Sequence, residues 1–393
     1  MKTTRFFTRI HSTRGATRST AALLLCFIAH GASGLEWQAT TAPVGSWTGI
    51  ASSADASKLV AVSYYLPIYT STNSGATWSP SESARNWQAV ASSSDGIKLV
   101  AVVYGGQIYT STNSGTDWTP RDSIREWQTV ASSVDGTRLV AGVSNGQIYT
   151  SDDSGATWTA RESNRLWGGV ASSSDGSRLV AVAGGGLIYS STNFGTNWTP
   201  RGISSTWLSV ASSADGSNIV AAAFNPLGNT GGQLYISTNA GFTWTSHQTN
   251  GNWWTVASSA DGTKLIAGVR AGPLYISTDA GANWSATAST DHWNSVACSA
   301  DGIKRIAAAD NGKIYVSPPL GLVPPSLKLF GTAANAVVVT WPSPSTGWNP
   351  QQNMNLATTN WETPLEVVND DGTNKFIIVN PPTGNHFYRL FKP

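Results

Sequence analysis

Residues 87–121 read WQAVASSSDGIKLVAVVYGGQIYTSTNSGTDWTPR, and this stretch recurs along the chain with few changes. Trp47, Trp87, Trp127, Trp167, Trp207, Trp253 and Trp293 each open a copy; five of the six spacings are 40 residues, and the copy opened by Trp207 is 46 long. A fixed period of this size is the mark of a repeat architecture. Within the quoted copy, four short extended runs are visible: Trp87 to Ser93, Lys98 to Val103, Gln107 to Ser111, and a last run ending at Pro120. Between them stand Ser94-Asp95-Gly96, Tyr104-Gly105-Gly106 and the Ser111 to Trp118 segment, all rich in turn residues. No window holds a 3.6-residue apolar period, and turns interrupt every 8 to 12 residues. The expectation is an all-β fold: a seven-bladed β-propeller with four-stranded blades.

Working outward, the third turn carries the most specific pattern, Ser-x-Asn/Asp-x-Gly-x-x-Trp, in six copies from Ser71–Trp78 to Ser277–Trp284. It resembles the Asp-box of sialidase-type propellers. The acidic position holds Asp153 and Asp279, but Asn73, Asn113, Asn193 and Asn239 elsewhere. Either side-chain oxygen accepts from backbone N–H groups, so the exchange keeps the turn. The position is therefore read as structural, with the Asp-box glycine in a left-handed conformation and the Trp wedged between blades. The whole repeat, GxIYTSTNSGATWT, also resembles the photosystem II assembly/stability-factor type of propeller repeat. That resemblance covers roughly residues 36–317 and implies a scaffold; a scaffold does not dictate function.

The ends of the repeat region complement each other. Trp37 lies ten residues before Trp47, where a fourth-strand Trp belongs, and lacks the first three strands of its own copy. The copy from Trp293 meets Pro318-Pro319 where its fourth strand should begin. Together the two fragments make one blade and close the ring, which removes unpaired strand edges.

Residues 1–34 read as a secretory signal peptide: Lys2, Arg5, Arg9, Arg14 and Arg18, the apolar core Ala21–Ala29, then Ala32-Ser33-Gly34. No other stretch is long and apolar enough for a membrane helix. The whole chain has 24 basic and 22 acidic residues; without the five leader bases, 19 face 22, a formal charge of −3. The basic balance belongs to the leader, so no nucleic-acid partner is expected. Cys298 is the only cysteine left after the leader, which excludes an intrachain disulfide. A secreted or cell-envelope, monomeric protein is expected. Residues 318–325 (PPLGLVPP) read as a stiff linker. In 326–393 the strands expected are Leu327–Phe330, Ala336–Trp341, Pro364–Val368, Lys375–Val379 and His386–Phe391, with a hairpin turn at 370–373. This part resembles immunoglobulin- or fibronectin-like modules, which implies a small terminal β-sandwich.

No catalytic constellation stands out. A sialidase-like site would need an Arg triad, a Tyr–Glu nucleophile pair and an acid/base carboxylate; the family's Arg-Ile-Pro stretch is absent, and residues 42–45 read Ala-Pro-Val-Gly. The histidines show no metal spacing, and no metal or cofactor is expected. One face gathers cations, because the second-to-third-strand connections and the blade-to-blade connections emerge together. Arg121, Arg125, Arg161, Arg165 and Arg201, with Tyr104 and Phe224, are the candidate binding residues; Arg beside aromatics suits carboxylates, sulfates and protein anchors. Residues 224–232 add six residues on that face where other copies make a tight turn. The leading expectation is a non-enzymatic scaffold binding a protein or glycan ligand. The alternative is a divergent sialidase-like glycoside hydrolase or lectin acting on acidic glycans.

Overall fold

The computed structural model describes residues 37–224 and 232–317, and, in the C-terminal part, 327–332, 336–343, 349–354, 360–371, 373–380 and 386–391. The stretches expected to be a signal peptide and a Pro-rich linker, and most of the long 224–232 connection, lie outside the described residues. The described chain is all-β and dominated by antiparallel sheets, in two compact units.

The repeat opened by Trp127 shows the plan of the first unit. Its first strand runs from Trp127 to Ser132, at the end of the extended run Thr119–Ser132. Leu139–Val143, Gly146–Ser151 and Thr159–Arg165 follow. Each pairs antiparallel with the next: Val130 with Ala141, Ala141 with Tyr149, Tyr149 with Ala160. The second strand is apolar throughout because both its faces are covered. Leu139, Ala141 and Val143 join Trp127 and the preceding repeat's Val100 and Val102; Val140 joins the following repeat's Trp167.

The seven opening tryptophans are at most 1% exposed and rank first among the largest buried side chains. Trp127 sits between Val102 and Ile108 of one repeat and Leu139 and Ala141 of the next, with Tyr149 edge-on at 5.1 Å. The Asp-box tryptophans, expected to be the wedge, are only half-buried. Trp78, Trp118, Trp158, Trp244 and Trp284 donate Nε1–H to the carbonyl of their own turn glycine at 3.0–3.1 Å, while Trp198 Nε1 has no partner among the described residues. The opening Trp is the more deeply buried of the two, and the Asp-box Trp both caps its hairpin and packs on the same inter-repeat cluster, as Trp118 does beside Val60, Val62 and Trp87.

The Asp-box turns take the expected geometry. Asn113 Oδ1 accepts from Asp117 N, and Asp153 Oδ1 from Thr157 N, both at 2.9 Å. Asn and Asp thus do the same job. Two residues rather than one are left-handed in each turn: Gly115 (φ 85) and the preceding Ser114 (φ 59). A second fastening follows each first strand. Ser133 Oγ donates to Asp135 Oδ1 at 2.6 Å, and that oxygen accepts from Thr137 N; the pattern holds at all seven turns, from Asp55 to Asp301.

Closure is explicit. Gln38 pairs with Val316 and Ala39 with Tyr315, so the N-terminal fragment supplies the seventh repeat's outer strand. Trp37 is buried 6.5 Å from Trp293. Trp47 packs against Ile306, Ala308 and Ile314 of the seventh repeat. A closed circle of backbone hydrogen bonds links the loops after the first strands: Ala54 N to Ser94 O, Ser94 to Val134, Val134 to Ser174, Ser174 to Ala214, Ala214 to Ala260, Ala260 to Ala300, and Ala300 back to Ala54, each 2.6–2.8 Å.

The seventh repeat also carries a buried anomaly. Arg305 stands where the other copies hold Leu59, Leu99, Leu139, Leu179, Ile219 and Leu265. It is 1% exposed, and both terminal guanidinium nitrogens lack partners among the described residues. Burial lowers its pKa. Its cross-strand neighbour is Cys298, whose thiol burial pushes up to about 12.

In the second unit, Lys328–Gly331, Val337–Pro342, Asn374–Val379 and Asn369–Asp370 form a four-stranded sheet, and Asn349–Asn353 pairs with Phe387–Phe391. Val339, Trp341 and Ile377 of the larger sheet share a core with Tyr388 of the smaller. Residues 364–368, expected as a strand, are not one: Leu365 and Val367 are 95% and 77% exposed, so no sheet face is there to cover them. Asn349–Asn353 is a strand whose polar sequence, NPQQN, hides the alternation.

Candidate functional site

The first strands of the seven repeats contact one another in sequence, and the last contacts the first. They wall a cavity of about 450 Å³. Each strand enters it with an irregularity. The pairing register slips between the opening Trp and the second residue after it in all seven repeats, as between Trp127 and Thr129. The intervening residue is the extra one of a β-bulge, a feature that re-aims side chains and recurs beside sites. In ring order these residues are Thr48, Gln88, Gln128, Gly168, Leu208, Trp254 and Asn294, and all seven line the cavity.

One residue deeper, hydroxyls tie neighbouring repeats: Thr129 Oγ1 accepts from Val170 N, Ser209 Oγ from Val256 N, Thr255 Oγ1 from Val296 N and Ser295 Oγ from Ile50 N, at 3.1–3.2 Å. Among the described residues, the lining holds no Asp, Glu, His, Lys, Arg, Cys or Tyr. It therefore offers neither a general acid nor a general base. No group of three metal-ligating side chains exists among the described residues, and no helix there is long and apolar enough to cross a membrane.

The sequence-predicted residues fall into separate sets. Arg125 and Arg165, with Arg85, lie over the tyrosine of the next repeat's third strand, 4.6, 4.5 and 4.8 Å from the rings of Tyr149, Tyr189 and Tyr109. Each also pairs with an acid three residues earlier: Asp122, Glu162 and Glu82. Arg121, Arg161 and Arg201 lie elsewhere. Their Nε–H groups bond Thr110, Thr150 and Ser190 at 3.0–3.1 Å, and the Arg201 guanidinium covers Phe242 in the next Asp-box turn at 4.0 Å. Arg161 lines a groove of about 230 Å³ with Arg138, Asp152 and Phe194.

Two predicted aromatics stand near the bulge ring. Phe224 meets Trp254 edge-on at 6.5 Å, and the Arg270 guanidinium sits 4.4 Å from the same indole. Tyr104 bonds Glu126, which holds its phenol above the usual value. In the preceding repeat Tyr64 donates to Gln88 Oε1 at 2.7 Å, and burial raises its pKa. Sequence reasoning missed the bulge residues. The signal was present: the opening Trp and the Ile or Val three residues later (Ile50, Val90, Val130, Val170, Val210, Val256, Val296) barely change between copies, while the residue after the Trp takes six identities.

No family model matches the sequence, and no curated protein matches it. Solved structures do match at the level of fold. Two are a YCF48 bound to D1 peptide (TM-score 0.56, 15% identity, 72% of this chain and 96% of that one) and YCF48 from Cyanidioschyzon merolae (0.57, 16%, 73% and 99%). A third is the GH74 xyloglucanase from Xanthomonas campestris (0.58, 17%), of which the match spans 59% while covering 78% of this chain. The fold is thus propeller-like, resembling the sialidase-type and photosystem-assembly-type Asp-box proteins.

Proposed function

We propose that the chain is a secreted, non-enzymatic, seven-bladed β-propeller that holds a protein or glycan ligand. In this reading residues 1–34 direct export, 35–317 form the ring of four-stranded blades, 318–325 are a spacer, and 326–393 form a terminal β-sandwich. The observation that carries it is the chemistry of the central cavity: a sizeable, half-polar concavity whose lining holds no titratable side chain. Ligand sites are concavities of this size with a few placed polar groups. Most glycosidases use two carboxyl groups and the sialidase type a Tyr–Glu pair with an acid/base carboxylate; among the described residues this cavity's lining holds no Asp, Glu or Tyr. The near-identity of the repeats supports the same conclusion, because catalysis needs different residues at defined places. The predicted face is kept as the binding face through Phe224 and Tyr104. The Arg125 and Arg165 guanidinium groups are committed to their own ion pairs and tyrosines.

The test pairs a panel of fluorogenic glycosides with a pull-down from the native secretome, both using the mature full chain. Retained binding with no turnover supports a scaffold. Hydrolysis that survives repurification and is abolished by a point change in the chain overturns it.

A further inference from the structure

The bulge ring is sorted by chemistry. Going round it, Asn294, Thr48, Gln88 and Gln128 are consecutive and polar; Gly168, Leu208 and Trp254 are consecutive and apolar, with Leu166 beside them in the lining. The fold accounts for one member. A Cβ on Gly168 would meet the Trp207 carbonyl oxygen at 2.6 Å, so that position is set by backbone approach. The other six are half-buried residues at unpaired positions, where no strand partner dictates the side chain. Copies that agree at neighbouring positions diverge here.

Several of these groups have hydrogen-bonding capacity left over. Among the described residues the Gln128 side chain has no hydrogen-bond partner, which leaves its amide donor and acceptor available. Gln88 uses only Oε1, toward Tyr64. Asn294 donates Nδ2–H to the Trp47 carbonyl at 2.9 Å and keeps Oδ1. Across the ring, the Trp254 indole is steadied by Phe224 and by Arg270, and its Nε1–H has no partner among the described residues.

We propose that this mouth binds a neutral carbohydrate, a non-reducing or reducing chain end seated with one sugar ring against Trp254 and its hydroxyls on Gln88, Gln128 and Asn294. The proposal rests on the scaffold reading above and names its ligand class. A pyranose has an apolar C–H face and a rim of hydroxyls, which matches an indole facing an arc of amides. The lining itself holds no charged side chain and the nearby Arg270 guanidinium is engaged on the Trp254 ring, which disfavours an acidic sugar whose carboxylate would lose hydration there. A peptide read by strand addition needs free backbone edges, and four edge N–H groups here, those of Ile50, Val170, Val256 and Val296, are taken by hydroxyls.

The experiment titrates the mature full chain calorimetrically with cellotetraose, xylotetraose, mannotetraose and galactotetraose. Tetragalacturonate and a pool of unrelated peptides serve as the competing classes. The variants are Trp254→Ala, Gln128→Ala and, as a control in the turn at the far end of the first strand, Ile97→Ala, with melting temperatures measured alongside. At least one neutral tetrasaccharide is expected to bind, with affinity falling about tenfold or more in Trp254→Ala, severalfold in Gln128→Ala, and not at all in Ile97→Ala. Should Trp254→Ala fail to fold, Gln128→Ala with Gln88→Ala decides. The proposal is overturned if no neutral sugar binds, if binding ignores the bulge variants, or if only tetragalacturonate or peptides bind. In the last case the scaffold reading stands while this site falls; turnover of any sugar removes the scaffold reading itself.

Discussion

Replacing Arg305 by leucine should stabilise the repeat unit. Six of the seven copies hold Leu or Ile there, between 3% and 6% exposed, and Arg305 is buried to 1%. Two guanidinium nitrogens have no partner among the described residues, and Arg stays protonated, so its charge is not relieved by deprotonation. Each buried donor without a partner costs about 1–3 kcal/mol, and exchanging buried ionic groups for apolar ones gains about 1–4 kcal/mol. Against this stands one structural difference. In the second repeat, Leu99 reaches the Asp-box glycine, 3.2 Å from where a Cβ on Gly115 would lie; the seventh repeat has no Asp-box, so the new leucine finds a poorer seat. A net gain of about 1–3 kcal/mol remains, and at about 2–4 °C per kcal/mol for a unit of this size the melting temperature should rise by several degrees. Calorimetry of Arg305→Leu and Arg305→Met beside the parent measures it. An unchanged or lower melting temperature in both would refute the reasoning and show that the guanidinium is satisfied.

Removing residues 35–46 takes away the strand that pairs with 314–316, so the truncated chain should aggregate in light scattering; a monomer with unchanged melting would refute closure. Trp127→Ala should cost about 3–5 kcal/mol as a filled inter-repeat site is emptied, and Trp118→Ala distinctly less, read by urea titration. The turn aspartates give an acid limit. Hydrogen bonds from Ser173, Ser213 and Ser259 lead the effects that hold Asp175, Asp215 and Asp261 at about 2. Their folded pKa lies below the unfolded one, so their stabilisation is complete above about pH 4. It is lost as pH falls through about 2, and Asp→Asn at these turns should flatten the melting curve in that window. Cys298 should resist a maleimide at pH 8 until the chain unfolds, because its thiol titrates near 12.

The repeat period, the turns and the closing fragment could all be read before any coordinates, since each depends on local chemistry repeated seven times or on simple spacing, as Trp37 before Trp47. The division of labour between the two tryptophans could not. Both are Trp in an extended context and both reach the neighbouring repeat; only the structure shows that the opening one is fully buried and the Asp-box one half-buried. The surroundings of the arginines were hidden for a related reason. Arg85, Arg125 and Arg165 stand 24 residues before Tyr109, Tyr149 and Tyr189, and that constant interval, once noticed, marks a stacking pair rather than an open cation. The bulge was invisible because an extra residue in a strand leaves no mark on alternation only two positions long. What betrayed it was variation inside an otherwise copied segment. In the terminal part, Pro364–Val368 has the composition of a strand without a neighbouring face to bury it.

The closing contact has a consequence in time. Lys313 bonds the Ala42 carbonyl across 271 positions, and Gln38 waits for Val316. The earliest residues of the unit are the partners of the latest, so no ribosome, and no pore threading the chain end-first, can deliver a finished ring by instalments. Until residue 317 arrives, six repeats stand as an open arc with a bare strand at one end and a short stub at the other. A chain that stops short of residue 314 leaves the strand at 38–39 without the partner that closes the unit.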